Sequence, residues 1–75
     1  MSFTVCTVPS KEIFELQCES LEETIPNIKL QTKLQDVDGS ETAVYLVGGK
    51  KIEVHNSYYI GAVYIDSEVD LDRYF

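Results

Sequence analysis

From Ile28 to Ile65 the chain alternates apolar and polar residues in short runs, and turn-forming residues separate one run from the next. Ile28, Leu30, Thr32 and Leu34 alternate with Lys29, Gln31, Lys33 and Gln35. A period of two sends successive side chains to opposite faces of a strand. Asp36-Val37-Asp38-Gly39-Ser40 reads as a turn, with Gly39 free to take positive φ. The pattern resumes from Thr42 to Val47, and Gly48-Gly49 then supplies a two-residue hairpin loop. Lys51 to His55 alternates again with Ile52 and Val54 inward, His55-Asn56-Ser57 reads as a turn, and Tyr58 to Ile65 reads as the last strand. Strands joined so closely pair antiparallel, because a parallel pair needs a crossover of a dozen residues or more. The segment therefore predicts a four-stranded antiparallel meander.

The N-terminal third is less determined. Ser2 to Val8 predicts a further strand, stopped by Pro9. Residues 11–25 admit two structures. As one helix capped by Ser10, they place Phe14, Cys18, Leu21 and Ile25 on one face. As a strand, Phe14, Leu16 and Cys18 alternate with Glu15, Gln17 and Glu19, and Ser20 to Glu23 open a short helix that ends before Pro26. The helix leaves Leu16 on its wet face and gathers Glu19, Glu22 and Glu23 at its C-terminal end, against the macrodipole. The strand has neither fault and is favoured. The expected fold is a β-rich α+β domain: the meander, N-terminal strands and one short helix. The alternative is a longer helix over 11–25 packed across the sheet.

Composition agrees. Eight Val, six Ile, five Thr and five Tyr stand against two Ala and one Met, a balance suited to pleated surfaces. Residues 1–75 are expected to form a single domain, with little core to spare for an enclosed active site.

Thirteen acids against six bases give a formal charge of −7. Nucleic-acid binding needs cations to displace counterions, and anionic membranes repel acidic surfaces. A basic protein surface is the favoured partner; direct nucleic-acid or membrane binding is not expected. With no basic-then-apolar leader pattern and no apolar run near 18 residues, the expected location is cytoplasmic.

The residues nominate no catalytic, cofactor or metal chemistry. His55 is the single histidine; Ser57 is its nearest hydroxyl in sequence, and no acid suggests itself as a brace. Asp36 to Glu41 resembles a calcium loop only superficially. With Asp36 at loop position 1, Gly39 falls at 4 instead of 6; with Gly39 at 6, Leu34 and Tyr45 occupy positions 1 and 12. Cys6 and Cys18 sit among apolar residues, too few for a disulfide framework.

Two segments are candidate partner-binding surfaces. Asp66, Glu68, Asp70 and Asp72 alternate with Ser67, Val69 and Leu71. Extended, they make a comb of carboxylates spaced roughly 6.6 Å apart, near the spacing of nucleic-acid phosphates. Glu19, Glu22 and Glu23 form a second acidic patch, and Tyr58 and Tyr59 open the most apolar run. The expected function is non-enzymatic: an acidic inhibitor or adaptor that occupies a basic, nucleic-acid-binding type of surface. Small acidic anti-host proteins of phages and mobile elements offer an analogy of size and charge. Two alternatives stand beside it. One is a homodimer or larger homo-oligomer assembled through the Tyr58–Ile65 strand. The other is a small-ligand sponge with Tyr45, Tyr58, Tyr59 and Tyr64 around an apolar pocket.

Overall fold

The computed structural model of the protein describes residues 2–74, without the side chains of Phe3 and Arg73. In chain order the elements are β1 (Ser2–Cys6), α1 (Lys11–Thr24), β2 (Lys29–Gln35), β3 (Glu41–Val47), β4 (Lys50–Ser57) and β5 (Ala62–Ser67), followed by a 3-10 turn at Leu71–Arg73. The strands form one sheet in the order β1-β5-β4-β3-β2, and every adjacent pair is antiparallel. The chain starts at one edge, crosses the sheet through α1, and meanders back from the other edge. The result is a β-rich α+β fold of two layers.

Residues 11–24 are helix, so the favoured strand over 14–19 gives way to the alternative. The Ser10 hydroxyl accepts from the Ile13 amide at 3.2 Å, which satisfies one of the free donors of the first turn. Ile25 is already extended, and Pro26 follows it. Both faults of the helix are real: Leu16 is exposed, and no basic residue stands in the last turn. Burial outweighs them. Phe14, Cys18, Leu21 and Ile25 are all nearly inaccessible, and a buried large apolar side chain contributes about 1.5–3 kcal/mol. An unfavourable charge at a helix end costs only about 0.3–1 kcal/mol.

That face packs on Ala43 and Tyr45 of β3, Ile52 and Val54 of β4, and Ile65 of β5. Leu71 completes the core from the C-terminal segment. The cross-strand partners Ala43–Val54, Tyr45–Ile52 and Val54–Ile65 show that these residues share one face of the sheet.

β1 ends at Cys6, short of the expected Val8, and the meander departs from its expected pattern in three places. β2 is an edge strand, exposed along its whole length, instead of half-buried. A bulge between Leu30 and Thr32 also breaks its alternation, so Lys29 pairs with Leu46 on one face and Lys33 with Ala43 on the other. His55-Asn56-Ser57 is the end of β4, because Asn56 is buried and its Oδ1 accepts from the Ser10 amide at 3.0 Å. Tyr58 to Gly61 is the turn, and the last strand begins only at Ala62. Gly61, at φ +78°, supplies the left-handed residue just before it.

Candidate functional site

Only one face of the sheet carries the helix. The opposite, open face follows from the register. One row runs Leu34, Thr42, His55, Tyr64 and Thr4 across the five strands; the next runs Thr32, Val44, Glu53, Asp66 and Ser2. The first row carries a hydroxyl and two stacked rings at its centre. The second has two carboxylates side by side.

His55 stands at the middle of this face. Its ring stacks on Tyr64 with centroids 4.7 Å apart. Nδ1 lies 3.1 Å from the Thr42 hydroxyl, and Nε2 lies 3.2 Å from Glu53 Oε1. The brace that the sequence did not nominate is therefore Glu53, two residues back on the same strand, and the adjacent hydroxyl is Thr42 instead of Ser57. With Nε2 protonated and donating to Glu53, Nδ1 accepts from Thr42. Hydroxyl, imidazole and carboxylate then have the connectivity of a nucleophile, base and orienting acid. The backbone amides around Thr42 lie within the β3 ladders, so the flat face offers no paired donors aimed at a developing oxyanion. What the geometry does supply is a fixed polar platform spanning β3, β4 and β5.

Beside the platform, Glu53, Asp66, Glu68 and Lys51 surround a shallow depression of about 300 Å³. Glu53 and Asp66 are direct cross-strand partners. Like charges placed directly opposite destabilise a sheet. Glu68 caps the end of the ladder: its amide donates to the Lys51 carbonyl at 2.9 Å, and its Oε1 accepts from the Lys51 amide at 2.7 Å.

The predicted comb is broken after Glu68. Ser67 is buried on the helix side, Leu71 enters the core, and the chain turns under the sheet. Asp70 caps the 3-10 turn, its Oδ1 accepting from the Asp72 amide at 3.1 Å, and Asp72 is exposed within that turn. Asp66 and Glu68 thus remain on the open face without Asp70 and Asp72. An extended comb would have left Leu71 without cover, and its burial decides the path.

Glu19, Glu22 and Glu23 are exposed on α1, in the opposite layer, so the two acidic groups do not form one surface. Glu22 has an internal role. Its Oε2 accepts the hydroxyl of buried Tyr45 at 2.6 Å. Burial first, and then this bond and the nearby Cys18 thiol, push the Tyr45 hydroxyl well above the usual tyrosine range. Burial likewise raises the Cys18 thiol, with its contact to Tyr45 partly opposing. Both cysteines are free.

Tyr58 and Tyr59 are exposed in the β4–β5 turn. The strand expected to carry a homo-oligomer is thereby shortened, and β5 is flanked on both edges by β1 and β4. The four tyrosines expected around a ligand do not converge either: Tyr45 lies under the helix, Tyr64 on the open face, and Tyr58 and Tyr59 in the turn. Among the described residues no group of three or more His, Cys, Asp or Glu side chains is arranged to hold a metal ion. No described helix is long and apolar enough to cross a membrane.

By architecture the protein is an antiparallel five-stranded sheet with one helix on one face. Comparison with family models, with curated proteins and with solved structures finds no match to this chain.

Proposed function

We propose that the protein is a non-enzymatic binding module whose open sheet face docks on a basic surface of a partner protein. The carrying observation is the direct pairing of Glu53 with Asp66 on an uncovered face, with Glu68 beside them and Lys51 as the adjacent cation. A like-charge pair costs the free protein stability, and a Lys or Arg placed over it relieves that cost. The flanking His55–Tyr64 stack offers a rigid, partly apolar surface for the same partner. Inhibition or adaptation are the functional outcomes of such docking, in the cytoplasmic setting where both thiols stay reduced. With the comb reduced to Asp66 and Glu68, the proposed partner is a basic protein surface in general, whether or not it also binds phosphate.

The test compares three immobilised proteins against an extract of the source cell, eluted in salt steps. The wild type stands beside Glu53→Gln/Asp66→Asn/Glu68→Gln and Glu15→Gln/Glu19→Gln/Glu23→Gln, two variants with the same change in net charge. A basic protein held by the wild type and the helix variant, released by salt, and lost from the open-face variant is the expected result. Equal loss from both variants assigns retention to net charge alone and refutes the proposed face.

A further inference from the structure

Two hairpin turns lie side by side at one end of the sheet, and both hold apolar side chains outward. The β2–β3 turn is fixed by its own bonds: the Asp36 amide donates to the Ser40 carbonyl at 2.7 Å, and the Ser40 amide donates to Asp38 Oδ1 at 2.9 Å. The β4–β5 turn is closed by the Gly61 amide on the Ser57 carbonyl at 2.8 Å, and by the Ile60 amide on Ser57 Oγ at 3.0 Å. The turns are also clamped to each other. The Tyr58 amide donates to Ser40 Oγ at 2.9 Å, and the Tyr58 ring lies so close to Gly39 that a β-carbon there would stand 3.4 Å from it.

This clamped pair holds Val37, Tyr58, Tyr59 and Ile60 outward; Val37 is fully exposed and Tyr59 is 94% exposed. Apolar side chains scattered singly over a surface need no explanation, but these four stand on two turns that are joined through Tyr58. A cleft of about 250 Å³, lined by Leu34, Gln35, Asp36, Ser40 and Thr42, lies beside the β2–β3 turn. A turn whose backbone is already fixed by hydrogen bonds loses little backbone freedom on binding, so exposed aromatic and aliphatic side chains on it are suited to act as anchors.

We propose that the Val37–Tyr59–Ile60 prominence is an anchor that inserts into an apolar recess rimmed by Lys or Arg on the partner protein. Charge selects this occupant. Residues 36–42 and 56–62 contain Asp36, Asp38 and Glu41 and no Lys or Arg. The Ser40 amide holds the Asp38 carboxyl below the usual range, so it stays ionised. A second copy docked here would set these carboxylates against their own counterparts, and an anionic lipid surface would repel them. The inference rests on the reading of the protein as a binder of a basic partner, and it adds the apolar anchor to the acidic face.

The experiment uses Tyr59→Ser/Ile60→Ser, which leaves Tyr58 and every backbone bond of the turn in place; an unchanged urea midpoint shows that it folds. Wild type, this variant and the open-face variant are immobilised and challenged with the same extract. The expected result is a basic protein whose salt-resistant retention falls at least tenfold in the anchor variant, while its salt-sensitive retention falls in the open-face variant. Retention independent of Tyr59 and Ile60 overturns the anchor and leaves the acidic face standing. Anchor-dependent, salt-insensitive retention that ignores Glu53, Asp66 and Glu68 keeps the anchor and removes the acidic face. Sedimentation of the purified wild type as a dimer that the anchor variant abolishes, or anchor-dependent binding to phosphatidylcholine vesicles, overturns the proposed occupant.

Discussion

Tyr45 joins the core to the surface at a single atom. Its ring is buried under α1 while its hydroxyl reaches Glu22, so removing the hydroxyl exchanges a bond to a charged acceptor for nothing. Tyr45→Phe is expected to cost about 1 kcal/mol in urea unfolding, because Glu22 is exposed and regains water. The same group links stability to alkaline pH. Tyr45 and Cys18 hold their protons to higher pH when folded than when unfolded. Their contribution is complete below the unfolded values and is lost as pH rises beyond them, so the urea midpoint should begin to fall above pH about 9 and continue past about 10. Tyr45→Phe should flatten the later part of that fall; an identical profile in the variant would remove Tyr45 as its cause. Asn56 is the second hinge of this kind. Its Oδ1 takes the Ser10 amide at the start of α1, and its Nδ2 is buried with no hydrogen-bond partner among the described residues. Asn56→Ala should cost about 1–3 kcal/mol by leaving the Ser10 amide unpaired. The sequence gives no sign of this role, since an asparagine beside a serine carries the composition of a turn.

The helix shows how a balance of small terms misleads. Its buried face was visible as Phe14, Cys18, Leu21 and Ile25, and so were its exposed Leu16 and its acidic C-terminal end. Counting faults favours a strand; weighing them favours the helix, because four buried side chains exceed two marginal penalties. The penalties remain measurable. Glu23→Lys should raise stability by about 0.3–1 kcal/mol, since the last turn has no cation, whereas Leu21→Ala should lower it by about 2–5 kcal/mol. Chemical denaturation checks both, and a destabilising Glu23→Lys would contradict the helix-end argument. The meander was legible because alternation and glycine turns agree. The β4–β5 turn was not, because Tyr58, Tyr59 and Ile60 have strand composition and only Gly61 marks the turn. The bulge near Gln31 left no trace in the alternation either, and it reverses the face that Lys33 occupies.

At the scale of the molecule, one helix covers β3, β4 and β5 on one side of a five-stranded sheet, and among the described residues no second layer covers the other side. Acidity was legible as a total and partly as a place. Asp66 and Glu68 lie on the open face, but Glu53 joins them only through register with β5, which no local pattern reveals. Asp70 and Asp72 are drawn away by the burial of Leu71, and Glu19, Glu22 and Glu23 lie in the other layer. The proposed interface therefore contains a conflict that the free protein tolerates: two carboxylates opposite each other in a ladder. Asp66→Lys replaces that repulsion with attraction, so stability and binding should move in opposite directions. The decisive measurement is the urea midpoint of Asp66→Lys together with its retention of the salt-eluted basic protein. The expected result is a gain of roughly 0.2–1 kcal/mol in stability with at least tenfold weaker retention. A stabilised variant that retains the partner as well as the wild type would contradict the assignment of the open face as the binding surface.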